Sequence, residues 1–302
     1  MDLSILYRGP LSSCNYGCPY CPFAKHIETR EEHERDEAAL KRFINFIKQN
    51  DKIAFSIFFT PWGEALIHPR YQQAFVDLTN LSNVVKVAVQ TNLSCKLDWL
   101  NECNRKKVGI WATYHPGEVE VSKFLKQCSR LSAQSINYSV GIVGLKENLD
   151  AIRAMRKALP EPVYLWVNAF KREANYYSKS EIAELSEIDP LFEINNQYHK
   201  SEGKICRTGK DVISVDGDGN IRRCHFIDTV IGNIYSDQLH TILRERSCSA
   251  KTCGCHIGYI YLNDLNLQAV FADGILERIP AQWPNTDYFP SKVLQTISKQ
   301  AP

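Results

Sequence analysis

Short runs of β-branched and aromatic residues alternate with longer amphipathic stretches over the first two thirds of the chain. The short runs are typical of buried strands, and apolar residues spaced three or four apart indicate helices. Strands that alternate with helices predict βα units on a parallel sheet. The predicted strands are 3–8, 52–59, 83–89, 107–113, 137–142 and 163–170, and the predicted helices are 33–49, 70–81, 97–105, 118–131, 146–159 and 180–188.

Six predicted strands are too few for a closed eight-stranded barrel, but they fit an open or partial one. The expected fold class is therefore α/β, with a partial (β/α)6 TIM barrel. In such folds the chemistry collects at the carboxyl ends of the strands, so the loops that follow them are where candidate residues are expected.

The pattern changes between about residues 190 and 203, after which the chain is rich in cysteine. Asp-Gly-Asp-Gly at 216–219 is turn chemistry between two short strands and predicts a β-hairpin within 212–223, followed by a short helix at 237–244. We expect three parts: a barrel at 1–195, a small cysteine-rich domain at 196–260, and a tail at 261–302 that packs on the core. The tail contains Trp283, Tyr288 and Phe289 and is expected to help cover the active site.

Composition narrows the class of protein. The chain has 302 residues, 44% of them hydrophobic and 23% charged, with a formal net charge of +2, which is ordinary for a globular protein. Without a basic block, neither nucleic acid nor an anionic membrane is expected as a partner. No apolar run reaches the eighteen or so residues of a membrane helix, and the first residues lack the features of a signal peptide, so we expect a cytoplasmic protein.

Eleven cysteines are many for this length. In a reducing cytosol they favour metal or cluster ligation over disulfides. Three lie between residues 14 and 21 and five between 206 and 255, whereas Cys95, Cys103 and Cys128 are isolated and are expected to be small buried side chains.

The first group, Cys14, Cys18 and Cys21, follows the first predicted strand. Three thiolates on one loop can hold three irons of a [4Fe–4S] cluster and leave the fourth iron open, whereas electron-transfer clusters usually have four cysteines. A structural zinc site is the alternative, but it would need a fourth ligand such as His26.

The spacing Cys-x3-Cys-x2-Cys, with Tyr20 just before the last cysteine, resembles the signature of the radical S-adenosylmethionine (radical SAM) superfamily. The resemblance implies that the open iron binds SAM and that an electron from the cluster cleaves SAM to methionine and a 5′-deoxyadenosyl radical. It also implies that Tyr20 lies against the adenine.

Weaker motifs follow the later strands in the order found in that family. Thr-Pro-Trp-Gly-Glu-Ala at 60–65 resembles its Gly-Gly-Glu-Pro motif, whose glutamate engages the SAM ammonium, although Trp and Ala flank the Gly-Glu pair here. Taken singly, such residues are explained by capping or by turns. His115 is either a proton carrier near the substrate or a structural histidine. The SAM-site residues that the resemblance implies are Tyr20, Gly63, Glu64, Asn92, Thr113, Gly144 and Asn168.

The second cysteine group begins with Cys206 and Cys224, with Gly219 between them. This spacing resembles the opening of SPASM and twitch domains, which carry auxiliary [4Fe–4S] clusters. The resemblance implies one auxiliary cluster of the twitch type, held by Cys206, Cys224 and Cys253, with Cys248 or Cys255 as the fourth ligand. Structural zinc on Cys206, Cys224, Cys253 and Cys255 is the alternative, because thiolate sets do not distinguish these metals.

The resemblance therefore implies a radical SAM enzyme, reduced by a flavodoxin- or ferredoxin-type donor, that abstracts hydrogen from an unidentified substrate. A net two-electron oxidation of a small molecule is the favoured reaction. Peptide or protein maturation is the alternative, and the start of the cysteine loop at residue 14 leaves no room for a preceding peptide-recognition domain. A non-enzymatic iron–sulfur or zinc scaffold would leave the open three-cysteine site unexplained. The sequence assigns no catalytic acid or base.

Overall fold

The computed structural model describes residues 1–23 and 26–285. Six parallel strands form its centre, and their buried residues run almost without interruption, as is usual when both faces of a parallel sheet are covered. The six strands are β1 (Asp2–Arg8), β2 (Ala54–Phe59), β3 (Val84–Thr91), β4 (Val108–Tyr114), β5 (Asn137–Gly144) and β6 (Leu165–Ala169).

The helices of the βα units pack on the outer face of this sheet. They are α1 (Arg30–Gln49), α2 (Pro69–Thr79), α3 (Val121–Ala133), α4 (Leu149–Ala158) and α5 (Lys179–Ile188). Thr29 and Glu32 form a capping box at the start of α1, which explains why this helix begins three residues before the prediction. Its buried side chains include Leu40, Phe43 and Ile47, spaced at helical intervals along one face.

Shorter elements follow. They are α6 (Phe192–Asn195), β7 (His199–Lys200), β8 (Ile205–Cys206), β9 (Val212–Asp216), β10 (Asn220–Arg222), β11 (Val230–Asn233), α7 (Leu239–Ile242), β12 (Arg246–Ser247), β13 (Thr252–Cys253), α8 (His256–Tyr259) and α9 (Leu267–Phe271).

The predicted hairpin is β9–β10, and it continues the central sheet instead of forming a sheet of its own. β9 pairs in parallel with β1, and Ile5 stands opposite both Ile57 of β2 and Ile213 of β9. In the described residues the sheet has nine strands in the order β11-β10-β9-β1-β2-β3-β4-β5-β6, and its two edges do not pair with each other. The cysteine-rich segment is therefore joined to the barrel along Ser4–Arg8 of β1. The division of the chain at residue 195 stays a prediction.

Two predicted helices are shorter in the structure. The stretch 97–105 was expected to be one helix, but it forms two 3-10 turns, Asp98–Glu102 and Arg105–Lys107. Cys103 and Asn104 between them are extended, and the side chain of Thr79 accepts the Asn104 N–H. The helix expected at 237–244 is the single turn α7. Only part of each stretch makes helical hydrogen bonds in the structure.

The sheet curves around an inner cluster of apolar side chains. Leu6, Phe58, Ala88, Trp111 and Trp166 point inward from five different strands, whereas their strand neighbours pack under the helices. This alternation is the period of two expected along a strand. Gly141 leaves the space for Trp166, because a Cβ atom there would lie 1.9 Å from its ring.

Residues 260–276 add apolar side chains to the inner cluster. Lys86 of β3 donates to the Asp273 carbonyl and forms a buried ion pair of 2.5 Å with Glu277. Ser139 of β5 donates to the Glu277 carbonyl at 2.5 Å. We call residues 273–278 the plug, because they insert among the inward-facing side chains of the strands. The described part of the tail thus packs on the core, while Tyr288 and Phe289 lie outside the described residues.

Among residues 1–23 and 26–285, no helix combines the length and the apolarity needed to cross a bilayer.

Candidate active site

The cysteine loop follows the carboxyl end of β1 and borders a cavity of about 440 Å³. This volume is within the usual range for small-molecule sites. Side chains from the ends of several strands line the cavity, as expected for a parallel α/β sheet. Of the predicted residues, the structure brings together Cys14, Cys18, Cys21, Tyr20, Gly63, Glu64, Asn92, Thr113, Asn168, His115 and Cys255.

Hydrogen bonds from Glu28 hold the start of the loop. The Glu28 carboxylate accepts from the Ser12 N–H and from the Ser13 hydroxyl, both at 2.7 Å. Leu11 is buried and its carbonyl accepts the Trp62 N–H, so the loop is also fastened to the segment after β2. These contacts fix the backbone that carries Cys14.

Gly63 lies directly against this backbone. A Cβ atom at Gly63 would stand 1.8 Å from the Ser13 carbonyl oxygen, and that oxygen accepts the Glu64 N–H at 2.9 Å. Only glycine permits so close an approach. The Gly63-Glu64 pair therefore joins the end of β2 to the cysteine loop.

Glu64 is a buried carboxylate, 3% exposed, at the wall of the cavity. It accepts hydrogen bonds from the Thr91 hydroxyl at 2.7 Å, the Asn92 N–H at 2.5 Å and the Leu66 N–H at 3.1 Å. Burial raises the pKa of Glu64 to about 7, although these three donors act in the opposite direction. A bound cation would bring that pKa back down, because it favours the ionised carboxylate.

Asn92 connects the end of β3 to the same loop. Its side-chain amide donates to Asn15 at 3.0 Å and lies 3.7 Å from the Cys14 sulfur. Asn92 is 5% exposed. In this position Asn92 orients the cysteine loop. The sequence did not indicate this role of Asn92.

Tyr20 and His115 are in contact at the rim of the cavity. The Tyr20 hydroxyl lies 2.8 Å from His115 Nδ1, and the Cys18 sulfur lies 3.4 Å from the same nitrogen. The two rings are roughly parallel, with centroids 6.0 Å apart. Burial lowers the pKa of His115 to about 4, so its imidazole is neutral at neutral pH. The contacts with Tyr20 and Cys18 thus hold the His115 ring in a fixed position.

Of the other predicted SAM contacts, Thr113 and Asn168 line the cavity from β4 and β6. Gly144 does not line it. The Gly144 carbonyl accepts from the Tyr177 hydroxyl at 2.5 Å, and a Cβ atom would lie 2.7 Å from that oxygen, so here the glycine makes room for Tyr177.

Four cysteines of the second group lie close to one another. Burial raises the pKa of Cys224 to about 11 and that of Cys253 to about 12, and negative charge on Cys206 and Cys248 would raise both further. The short ladders β8–β12 and β7–β13 bring these sequence-distant positions together. Gly258 leaves room for Cys253, because a Cβ atom there would lie 2.7 Å from the Cys253 sulfur.

Cys255 has different surroundings. It is exposed to the cavity, and the positive charges of Lys171, Arg278 and Arg8 act to lower its pKa against the larger effect of desolvation, which raises it. Cys255 thus lines the cavity and is also close enough to Cys253 for its negative charge to raise the Cys253 pKa.

The two cysteine groups supply thiols for the cofactors that the sequence implies. In the part of the chain that the structure describes, no three His, Cys, Asp or Glu side chains gather closely enough to hold a single metal ion. Thiols are the usual ligands of iron–sulfur clusters; three thiols border the cavity, and four others lie close to one another. The residues therefore fit cluster ligation at both places. Cys95, Cys103 and Cys128 are buried and belong to the outer core, as predicted.

The sequence did not indicate four further residues of the cavity. Trp111, Trp166, Lys171 and Arg278 all line it. The two tryptophans stand two positions before Thr113 and Asn168 on the same strands, so the strand period could have revealed them. Nothing in the sequence indicated Arg278, which comes from the tail.

No protein-family model matches the sequence, and no curated protein does. Solved structures do match. Native anSMEcpe, a radical SAM enzyme with bound AdoMet and the Kp18Cys peptide, has a TM-score of 0.52 and 16% identity, with 80% of each chain covered. Hexahistidine-tagged anSMEcpe with bound AdoMet gives 0.50 and 15%, again over 80% of each chain.

BtrN in complex with AdoMet and 2-DOIA covers 80% of this chain and 83% of that chain at 19% identity, but its TM-score of 0.40 is too low to support an argument. The likeness to anSMEcpe shows the fold. The chain has the α/β partial-barrel fold of radical SAM enzymes, and the predicted fold class is confirmed.

Proposed function

We propose that this protein is a radical SAM enzyme that oxidises a small molecule. The observation that carries the proposal is the meeting of three thiols and one buried carboxylate in a single cavity: Cys14, Cys18 and Cys21 with Glu64. When bound, a [4Fe–4S] cluster and SAM supply a 5′-deoxyadenosyl radical that abstracts a hydrogen atom from the substrate. The protein's own residues position the reactants and exclude water.

In this proposal Cys14, Cys18 and Cys21 hold three irons and leave one open for the amino and carboxylate groups of SAM. Burial raises the pKa of Cys18 to about 11, and the pKa of Cys14 is raised too, so both thiols are protonated before the cluster is loaded. Ligation displaces those protons, and cluster loading is therefore favoured at higher pH.

Glu64 is proposed to accept a hydrogen bond from an N–H of the SAM amino group. Its three fixed donors hold the carboxylate in one orientation, and a charge-assisted bond would repay its desolvation. Tyr20, Thr113 and Asn168 are proposed to contact the rest of SAM at the rim. Gly63, which has no side chain, is proposed to let SAM contact the backbone there. Gly144 is proposed to act indirectly, through Tyr177, because it does not line the cavity.

Cys206, Cys224, Cys248 and Cys253 are proposed to hold an auxiliary [4Fe–4S] cluster. Their proximity to one another supports this set. Cys255, which lines the cavity, is left as the spare cysteine. When bound, that auxiliary cluster would supply an acceptor for the second electron of a two-electron oxidation. A flavodoxin- or ferredoxin-type donor and a cytoplasmic location are part of the proposal, because the thiols require a reducing compartment.

Peptide maturation is the second candidate. One of the similar structures is of anSMEcpe with a bound peptide, and that binding is a property of anSMEcpe. The cavity of about 440 Å³ favours a small molecule or a single side chain of a peptide. A non-enzymatic scaffold is the third candidate and predicts metal binding without SAM cleavage.

The test is anaerobic reconstitution, followed by reduction with dithionite in the presence of SAM. We expect 5′-deoxyadenosine from the wild-type protein and none from Cys18→Ala, with Cys128→Ala as the matched control because Cys128 lies in the outer core. Absence of 5′-deoxyadenosine from fully loaded wild-type protein would contradict the proposal and favour the scaffold. Deuterium transfer from labelled small molecules or peptides into 5′-deoxyadenosine distinguishes the first two candidates.

A further inference from the structure

The floor of the cavity is formed by two tryptophans and an arginine. Trp111 of β4 and Trp166 of β6 are each 3% exposed, and the Arg278 guanidinium carbon lies 4.3 Å from the ring centroid of Trp166 and 5.3 Å from that of Trp111. Arg278 belongs to the plug and is itself only 2% exposed. Its φ of 56° is unusual for a residue with a side chain. A strained backbone therefore delivers a buried cation to this floor.

Three nitrogen atoms at this floor have no hydrogen-bond partner in the described structure: Arg278 Nε, Trp111 Nε1 and His256 Nε2. His256 is 5% exposed, and its ring centroid lies 5.3 Å from that of Trp111, so the three residues adjoin one another. All three line the cavity. Leaving a buried polar group unpaired is unfavourable, so three at one place indicate a ligand that pairs with them.

The charge at the floor is also unbalanced. Lys171 also lines the cavity, and within residues 1–23 and 26–285 its ammonium group donates to the backbone carbonyls of Asn195, Gln197 and Gly254. None of the ion pairs in the described residues includes Arg278.

The nearby carboxylates have other partners. Glu277 is paired with Lys86, although its second oxygen is unpartnered. Asp189 acts electrostatically on Arg278, but it accepts hydrogen bonds from Tyr164, Val167 and Leu191. Cys255 is a further group there that can become negative.

We propose that the cavity floor is a carboxylate-binding subsite and that the substrate is a small carboxylic acid held by Arg278. A planar guanidinium matches a carboxylate in shape, and its burial against two rings strengthens the interaction. This inference rests on the proposed function for the identity of the reaction, and it adds the chemical class of the substrate.

SAM also has a carboxylate, but it is expected at the other end of the cavity. In the proposal SAM binds beside Cys14, Cys18 and Cys21, with Thr113 and Asn168 at its rim. Trp111 and Trp166 stand two residues earlier on the same strands, which is about 6.6 Å deeper at about 3.3 Å a residue. Arg278 lies against those deeper side chains. The substrate carboxylate would thus be held below SAM, with the rest of the molecule pointing toward it.

The experiment uses cluster-loaded protein without reductant, so that binding is measured apart from SAM cleavage. Acetate is the probe, acetamide is its uncharged counterpart, and the readout is the melting temperature as a function of ligand concentration. We expect acetate, but not acetamide, to stabilise the wild-type protein in a saturable way. Arg278→Met should weaken the acetate effect about tenfold, and Arg244→Met, at an exposed arginine, should leave it unchanged.

Several results would overturn the inference. They are equal responses to acetate and acetamide in the wild-type protein, an unchanged acetate affinity in Arg278→Met, and tighter binding of inorganic phosphate than of acetate. A SAM affinity about tenfold weaker in Arg278→Met would instead assign Arg278 to the SAM carboxylate. If Arg278→Met does not fold, Arg278→Lys replaces it, with a smaller loss expected because the fork geometry is absent. Failure to form 5′-deoxyadenosine with an intact acetate response would refute the proposed function alone.

Discussion

The backbone of Gly63 lies against the backbone of Ser13, so closely that a Cβ atom at Gly63 would stand 1.8 Å from the Ser13 carbonyl oxygen. This contact joins the end of β2 to the loop after β1. Cys14 follows Ser13 and Glu64 follows Gly63, so one backbone contact sets the position of a proposed cluster ligand relative to the proposed SAM ligand.

Gly63→Ala is expected to destabilise the protein by about 1–3 kcal/mol, because the new methyl group overlaps backbone atoms that cannot rotate away. The iron content after reconstitution should fall as the cysteine loop shifts. Gly17→Ala is the matched control in the same loop, since its Cβ atom would meet only Glu118, at 3.8 Å. Equal iron content and stability in the two variants would refute this account of the contact.

Iron counting separates the two cysteine groups. We expect about eight irons in the wild-type protein, about four in Cys224→Ser and about eight in Cys255→Ser, because two four-iron clusters are proposed and Cys255 lies outside both ligand sets. Iron, sulfide and zinc are measured after anaerobic reconstitution. About four irons in Cys255→Ser would make Cys255 an auxiliary ligand, and bound zinc in place of iron would restore the zinc alternative.

Glu64 should make stability depend on pH. Burial raises the pKa of its carboxyl from 4.5 to about 7 in the folded protein, so the folded state keeps a proton that the unfolded state loses. Stability therefore decreases as pH rises from about 4.5 through 7, by about 3 kcal/mol in total for this group. Denaturant unfolding of the cluster-free protein at pH 5 and pH 8 measures the change. Glu64→Gln should lack it, and an identical pH dependence in that variant would contradict the assignment.

The same group should make SAM binding depend on pH. An N–H of the SAM amino group would donate to the ionised carboxylate, and with a pKa of about 7 only about a tenth of Glu64 is ionised at pH 6. We expect the SAM dissociation constant of loaded protein to be about tenfold larger at pH 6 than at pH 8. Equilibrium dialysis gives the constants. In Glu64→Gln the affinity should be weaker at pH 8 and nearly independent of pH; a tenfold pH effect there would exclude Glu64 as its source.

The ion pair between Lys86 and Glu277 is expected to hold the plug in place. Both side chains are buried, at 13% and 2% exposure, and Lys86→Met would leave an unpaired carboxylate inside the sheet. Breaking such a pair costs about 3–5 kcal/mol, whereas removing both charges is much less costly. Thermal unfolding should therefore rank the variants as wild type, then Lys86→Met/Glu277→Gln, then Lys86→Met. Equal stabilities of the single and double variants would show that the pair is not coupled.

The pattern of apolar residues predicted the six parallel strands to within a few positions, because buried strands need apolar side chains on both faces. The same pattern did not predict correctly how long each helix is. Residues 97–105 contain enough helix-forming side chains for a helix, but tertiary contacts from Thr79 interrupt them after a single turn. The hairpin at β9–β10 was predicted as a local unit, and its pairing with β1 depends on partners more than two hundred residues away in the chain.

By itself the sequence determined which thiols are available, that Cys14, Cys18 and Cys21 follow the first strand, and that Glu64 follows the second. These properties depend on order and spacing along the chain, which parallel βα units translate directly into positions at one edge of a sheet. Tertiary structure alone decided that Cys255 faces the cavity while Cys206 and Cys224 do not, and that Arg278 lies on Trp166 at the floor. The repeat of apolar residues along the sequence does not predict contacts between such distant residues, because they form only when the tail packs among the strands.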